Sequence, residues 1–301
     1  MSIEIKTTSV EPIRNTYSNI KRRFGDKPAT RYQEASFDIS VTDPRQFYYG
    51  AYVQNRAKMQ EATEHSYSFC DKRGLITRLP EDLQETLLRF LVPLRHVELG
   101  ANMNNSGVAG DCIAGTVTQM HIYQAMDRLG AGQYLSRIAL IIDGGTGDAL
   151  DRSKTYWMDD ALWQPMRRLV EDTLVIKDWF ELSLTQNLII DGLLYPLMYQ
   201  EFDQWLDRQG AADVSMLTEF MRDWSKETVR WVDAMVKTVM AESETNAVQL
   251  QAWVDQWEPR AYEALAPLAD ASMGREALDA VRAQFATRLK KLGLNSQGVQ
   301  A

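Results

Sequence analysis

The chain is short of the residues that most catalytic chemistry needs. Of 301 residues only three are histidine (His65, His96 and His121) and only two are cysteine (Cys70 and Cys112). Two isolated cysteines do not make a disulfide framework, and they point to a reducing compartment. The histidines are not spaced for a metal centre. Carboxylate-bridged helical bundles hold metal with two lone carboxylates and two Glu-x-x-His pairs, because residues three apart share a helix face. The residues three before the histidines are Ala62, Pro93 and Thr118, none of them a carboxylate. In "HVELGANMNNSG" the glutamate is present as Glu98, but the residue three on is Ala101. There is no Gly-x-Ser-x-Gly turn, and neither cysteine sits in a recognisable partner pattern, which argues against nucleophilic catalysis. "DGGTGDALD" has no phosphate-loop lysine and no dinucleotide fingerprint, and Asp143, Asp148 and Asp151 lack the spacing of a calcium loop. It reads as a solvated connection.

Long apolar runs are also missing. The most apolar stretch, "LIIDGLLYPLMY", is broken by Asp191 and Pro196, so no segment reaches the ~18 apolar residues a membrane helix requires. "MSIEIKTTSVEPIR" contains no apolar h-region, and a cytoplasmic location is expected. A formal net charge of −8 disfavours nucleic acid as a partner, despite the short basic run "IKRRFGDKPATR". No segment sustains the two-residue alternation of a half-buried strand.

What the chain has is helical periodicity and aromatic mass. It is 45% apolar, with eight tryptophans, twelve tyrosines and nine phenylalanines, enough for a deep core or a broad partner surface. Residues 1–45 show no sustained stripe and carry Pro12, Pro28 and Pro44, so an extended N-terminal arm is expected there, with a helical domain over 46–301. Helices are expected from Phe47, from Pro80 with a kink at Pro93, and over "DCIAGTVTQMHIYQAMDRLG", with Asp111 as N-cap and Gly130 as stop. "GGTGDALDRSKTYWMDD" is expected to be a connection. A long helical run from Asp160 to Arg208 should open at Pro165 and bend at Pro196. Further helices are expected over 214–243, 247–268 and 274–292. In the first of these, Leu217, Phe220, Met221, Trp224, Thr228, Trp231, Met235 and Val239 mark one face. The fold class is therefore all-α, a long-helix bundle. Glu98, Glu181 and Asp191 fall within apolar helical segments, where a carboxylate is costly unless paired. Arg95, Arg128, Arg167 and Arg168 are the arginines available to them.

Three stretches carry a family resemblance. "VEPIRNTYSNIKRRFGDKPATRYQEASFD", "DPRQFYYGAYVQNRAKMQEATEH" and "FLVPLRHVELGANMNN" resemble the β subunits of bacterial phenol hydroxylases, multicomponent di-iron monooxygenases. Toluene and methane monooxygenases have related β subunits. The resemblance implies a ferritin-like bundle lacking the di-iron ligands, and no catalytic, metal or cofactor residue in this chain. It implies assembly with α and γ subunits in a paired complex, with the di-iron centre in α. A regulatory protein and a reductase carrying FAD and an iron–sulfur cluster, fed by NADH, complete the system, which converts phenol and methylphenols to catechols. The segment ahead of Asp43 is shorter than the family pattern. Arg22, Arg23, Phe24 and Tyr32 in the arm, with Tyr48, Tyr49 and Tyr52, are the expected partner-interface residues. Two other readings stand beside this one. One is a ferritin-like oxidase using an atypical metal site of Glu98, His121 and Glu181. The other is a helical module for a small aromatic ligand.

Overall fold

The computed structural model describes residues 43–112 and 115–298. The arm residues Arg22, Arg23, Phe24 and Tyr32 lie outside the described residues. Among those described, every regular element is helical. The long helices are α1 (Tyr49–Arg73), α3 (Leu94–Asp111), α4 (Gly115–Ile142), α8 (Ser215–Glu242), α9 (Glu244–Asp270) and α10 (Arg275–Lys291). Shorter ones are α2 (Glu81–Thr86), α5 (Asp148–Asp159) and α6 (Gln164–Thr173). A continuous helical run over 179–208, here α7, alternates α-helical turns with wider π turns at Leu184–Ile190 and Leu197–Glu201. Helices α3, α4, α7 and α8 enclose the core, with α3 and α4 the most closely associated pair.

The late helices follow their expected spans, and every residue of the Leu217-to-Val239 stripe is buried. Pro165 sits in the first turn of α6 as expected. At Pro93, which has no N–H to give, the first segment ends in a π turn over Leu87–Leu91 and α3 begins afresh at Leu94. Pro196 does not end α7, because the π turn that follows it absorbs the missing backbone bond.

Four expectations fail, each for a local reason. Asp111 closes α3 rather than capping α4, which begins at Gly115. Gly130 does not stop α4. A glycine inside a helix costs only about 1 kcal/mol relative to alanine, and the burial of Ala131, Leu135, Ile138 and Ala139 beyond it outweighs that. Only the start of "GGTGDALDRSKTYWMDD" is a connection, held by Asp143, whose carboxylate accepts from the backbone N–H groups of Gly145, Gly147 and Ala149 at 2.9 Å each. The rest is α5, whose Ala149, Ser153 and Trp157 point inward at four-residue spacing. The run from Asp160 breaks between Thr173 and Trp179, where Asp178 caps α7 by accepting from the N–H groups of Phe180 and Glu181.

Glycine permits a close approach where α7 meets α10. A Cβ on Gly192 would lie 2.5 Å from the ring of buried Phe285, inside any tolerable contact. Gly192→Ala is therefore expected to destabilise the chain by about 1–3 kcal/mol through overpacking. Urea denaturation reads this out, and Phe285→Leu in the same chain should recover part of the loss.

Candidate functional site

The centre of the bundle is built on charge. Glu98 on α3, Arg128 on α4, Asp191 and Tyr195 on α7, and Trp224 on α8 converge there, all buried. The Arg128 guanidinium donates to Glu98 Oε2 at 3.0 Å and makes a short ion pair with Asp191 Oδ2. The Tyr195 hydroxyl donates to Glu98 Oε1 at 2.6 Å and accepts from Arg128 at 3.1 Å. The indole of Trp224 lies 4.5 Å below the guanidinium, a close cation–π contact. Gln186 donates to Asp191 Oδ1 at 3.0 Å, and Asn104 donates to Gln186 at 2.9 Å.

One guanidinium faces two carboxylates, so the cluster has a surplus of negative charge. Burial pushes the carboxyls of both Glu98 and Asp191 up, against the pull of Arg128. Burial also opposes the charge on Arg128, but Asp191 and Glu98 more than offset it and hold the cation firmly protonated.

Trp224 joins this cluster to a second one. Its indole N–H donates to Asp127 at 2.9 Å. Asp127 also accepts from Arg56 at 2.7 Å and from the Tyr52 hydroxyl at 2.8 Å. Arg56 continues to Glu227, which meets Arg45 at 3.3 Å, and Arg45 pairs with Asp43. This chain of charges fastens the start of α1 to α4 and α8.

The sequence-derived candidates land in different places. Glu98 and Asp191 share Arg128, one of the four arginines available to them. Glu181 finds no arginine among the described residues and accepts instead from the Trp257 indole N–H at 2.9 Å. His121 is fully buried between Val117 and Ser183. Because a carbonyl only accepts, His121 Nδ1 donates to Val117 at 2.7 Å, and Nε2 accepts from the Ser183 hydroxyl at 2.7 Å. Glu98, His121 and Glu181 thus each spend their polar atoms on a different partner and do not form a ligand set. Among the described residues no group of three or more His, Cys, Asp or Glu is arranged to hold a metal. The donor chemistry agrees, since a di-iron centre needs free carboxylates on facing helices, and both carboxylates here are committed to an arginine. Tyr48 and Tyr49 are each 66% exposed, whereas Tyr52 is 6% exposed and stacks on Tyr123 at 4.1 Å. Tyr52 therefore serves the interior rather than the surface. Sequence reading missed Tyr195, Asp127 and Glu227 and placed Trp224 only on a core-facing stripe, although Asp127 and Arg128 are adjacent charges in a stretch whose one other charge is Asp111.

That stretch is itself a surface feature. From Leu99 to Gln133 the charged residues are Asp111, Asp127 and Arg128, and the last two are buried. The contacts from Glu98 to Arg128 and from Asn102 to Ala125 set α3 and α4 antiparallel. Leu99, Met103, Ile122, Met126 and Leu129 then share their outer face, each between 40% and 51% exposed. Isolated exposed apolar residues are ordinary, but five on the outer face of one helix pair are a concentration of apolar surface. No helix among the described residues is long and apolar enough to cross a membrane.

Comparison with known proteins places this architecture. The sequence profile of the methane/phenol/alkene hydroxylase family matches residues 27–243. The chain is 64% identical to the phenol 2-monooxygenase oxygenase component DmpL of Pseudomonas sp. strain CF600, over 99% of both chains. The aligned stretch is 329 residues long against a chain of 301, so that relative carries residues that this chain lacks. The corresponding component MhpL of Acinetobacter pittii strain PHEA-2 is 41% identical over 98% of both chains. The crystal structure of xenon-pressurised phenol hydroxylase from Pseudomonas sp. OX1 superposes with a TM-score of 0.86 at 63% identity, covering 98% of this chain and 100% of that one. Toluene 4-monooxygenase, at 19% identity and a TM-score of 0.75, shares the fold, a ferritin-like helical bundle.

The buried histidine gives a pH test. Burial holds His121 down to about 4, against an ordinary value near 6.5. The unfolded chain therefore binds a proton that the folded chain refuses. The stability His121 contributes is complete above pH 6.5 and is lost as pH falls toward 4. By pH 5 the loss is about 2 kcal/mol, at ~1.4 kcal/mol per unit. Unfolding free energies from urea titrations at pH 7 and pH 5 should differ by that amount more in the wild-type chain than in His121→Gln.

Proposed function

Because the chain belongs to the methane/phenol/alkene hydroxylase family, we propose that it is the non-catalytic β subunit of a phenol hydroxylase oxygenase complex. The complex would convert phenol and methylphenols to catechols with O2 and electrons drawn from NADH. In this reading the di-iron centre belongs to the α subunit, and a separate reductase with FAD and an iron–sulfur cluster supplies the electrons. The observation that carries the reading is Arg128. Its guanidinium engages both core carboxylates, so the interior of this bundle is organised for rigidity and not for ligating iron.

The work left to such a chain is assembly. The uncharged outer face of α3 and α4 supports packing against a subunit of the same helical fold, since the centre of a permanent interface is depleted of charge. An obligate contact of this class buries more than about 2,000 Å². Arg22, Arg23, Phe24 and Tyr32 of the arm, with exposed Tyr48 and Tyr49, would extend it. A γ subunit and a regulatory protein would complete the complex, in the cytoplasm.

Two measurements test this. The chain is expressed alone and together with its α and γ partners, and mass and iron are recorded on each. Iron is expected only in the co-assembled complex; stoichiometric iron in the lone chain would overturn the reading. Met103→Arg, a change at an exposed position, should leave the helical content intact and weaken assembly at least tenfold, about 1.4 kcal/mol. Removing residues 1–42 should weaken it as well, and undiminished assembly after that truncation would remove the arm from the interface.

A further inference from the structure

A cleft of about 190 Å³ opens between α7, α8 and α10, beside the Arg128 cluster. Asn187 and Gly192 of α7, Trp224 and Thr228 of α8, and Phe285 of α10 border it, with the less buried Ser225 on its solvent side. A cavity of about 150 Å³ lined by apolar side chains is enough to hold benzene. This cleft therefore has room for one six-membered ring and a small substituent. Its lining is mixed. Trp224 and Phe285 are each 2% exposed and give it aromatic walls. Thr228 and Asn187 give it two buried polar groups, and both are loosely bonded. The Thr228 hydroxyl reaches Gln124 Oε1 only at 3.5 Å, and Asn187 Oδ1 accepts from Gln124 Nε2 at 3.4 Å. Well-formed bonds of these kinds lie between about 2.5 and 3.2 Å. Buried polar atoms met this poorly have capacity for a better partner.

We propose that this cleft binds one neutral, single-ring aromatic alcohol, its ring against Trp224 and Phe285 and its hydroxyl between Thr228 and Asn187. The hydroxyl can donate to Asn187 Oδ1 and accept from Thr228, so that two long bonds give way to two short ones. The charges around the cleft select a neutral ligand. Asp191 borders it and already has the carboxylate of Glu98 across Arg128, which disfavours an anion. A cation gains nothing there, because Arg128 and Gln186 occupy both oxygens of Asp191. Arg288, which also borders the cleft, is paired with Asp233 at 2.7 Å and offers no free charge. A phenolic hydroxyl keeps its proton until about pH 10, so such a ligand is neutral near pH 7. The proposal rests on the cleft and not on the subunit assignment.

The test is equilibrium dialysis of phenol against the full chain near pH 7. One phenol per chain should bind saturably, with a Kd on the order of 1 mM or tighter, well inside the ceiling for so small a ligand. Ser225→Trp, which sets an indole in the open side of the cleft, should abolish binding and leave the helical content intact. Thr228→Val keeps the shape and removes the hydroxyl. It should weaken phenol about fivefold and leave benzene unchanged. Benzoate, an anion of similar size, should not bind. Where the full chain is obtained only within its complex, wild-type and Ser225→Trp complexes are dialysed side by side, and the variant should hold one phenol fewer per copy of this chain. Absence of saturable binding, an undiminished stoichiometry in Ser225→Trp, or equal weakening of phenol and benzene in Thr228→Val overturns the proposal. None of these readouts depends on iron content or on assembly, so the subunit assignment is judged separately.

Discussion

The ion cluster around Arg128 is the constraint on which the core depends. A guanidinium with no access to water is tolerable only if its charge is met by fixed partners, and both terminal nitrogens of Arg128 find acceptors while its Nε finds none among the described residues. Glu98 and Asp191 meet the charge, Tyr195 completes the hydrogen bonding to Glu98, and the face of Trp224 covers the remaining side. The partners lie on three other helices, α3, α7 and α8, so the four helices are held in one relative register. The cluster adds little net stability over an apolar core, because desolvating three charges costs about as much as their attraction returns. Its value is geometric.

The geometry extends outward through Trp224. The same indole that faces Arg128 donates to Asp127, and Asp127 is the anchor for Arg56 and Tyr52 of α1. The path then runs through Glu227 to Arg45 and Asp43. The residues that leave the expected N-terminal arm are thus wired to the middle of the bundle by alternating charges. In the assembly reading, the polar interior fixes the scaffold and the uncharged α3–α4 face presents it.

The structure also explains how a bundle of the ferritin-like type can persist without ligand pairs. His121 is buried between a carbonyl and a hydroxyl, where it needs no charge, and the cation at the centre of the bundle is an arginine, which does not lose its proton.

The amino-acid sequence by itself determined the fold class, the absence of Glu-x-x-His and the late helices, because those are written in local periodicity and spacing. The stripe from Leu217 to Val239 is legible since each turn repeats the same choice. The resemblance of three stretches was enough to indicate the family. Glycine and aspartate signals misled at Gly130 and across "GGTGDALDRSKTYWMDD", because a cap preference worth about 1 kcal/mol yields to the burial of several side chains beyond it. Tertiary structure alone decided the pairings: which arginine serves Glu98 and Asp191, that Glu181 takes an indole, and that Tyr52 turns inward while Tyr48 and Tyr49 stay out. Those outcomes join residues 30 to 76 positions apart. No local propensity encodes such contacts; they exist only once the helices have packed and the carboxylates have lost their water.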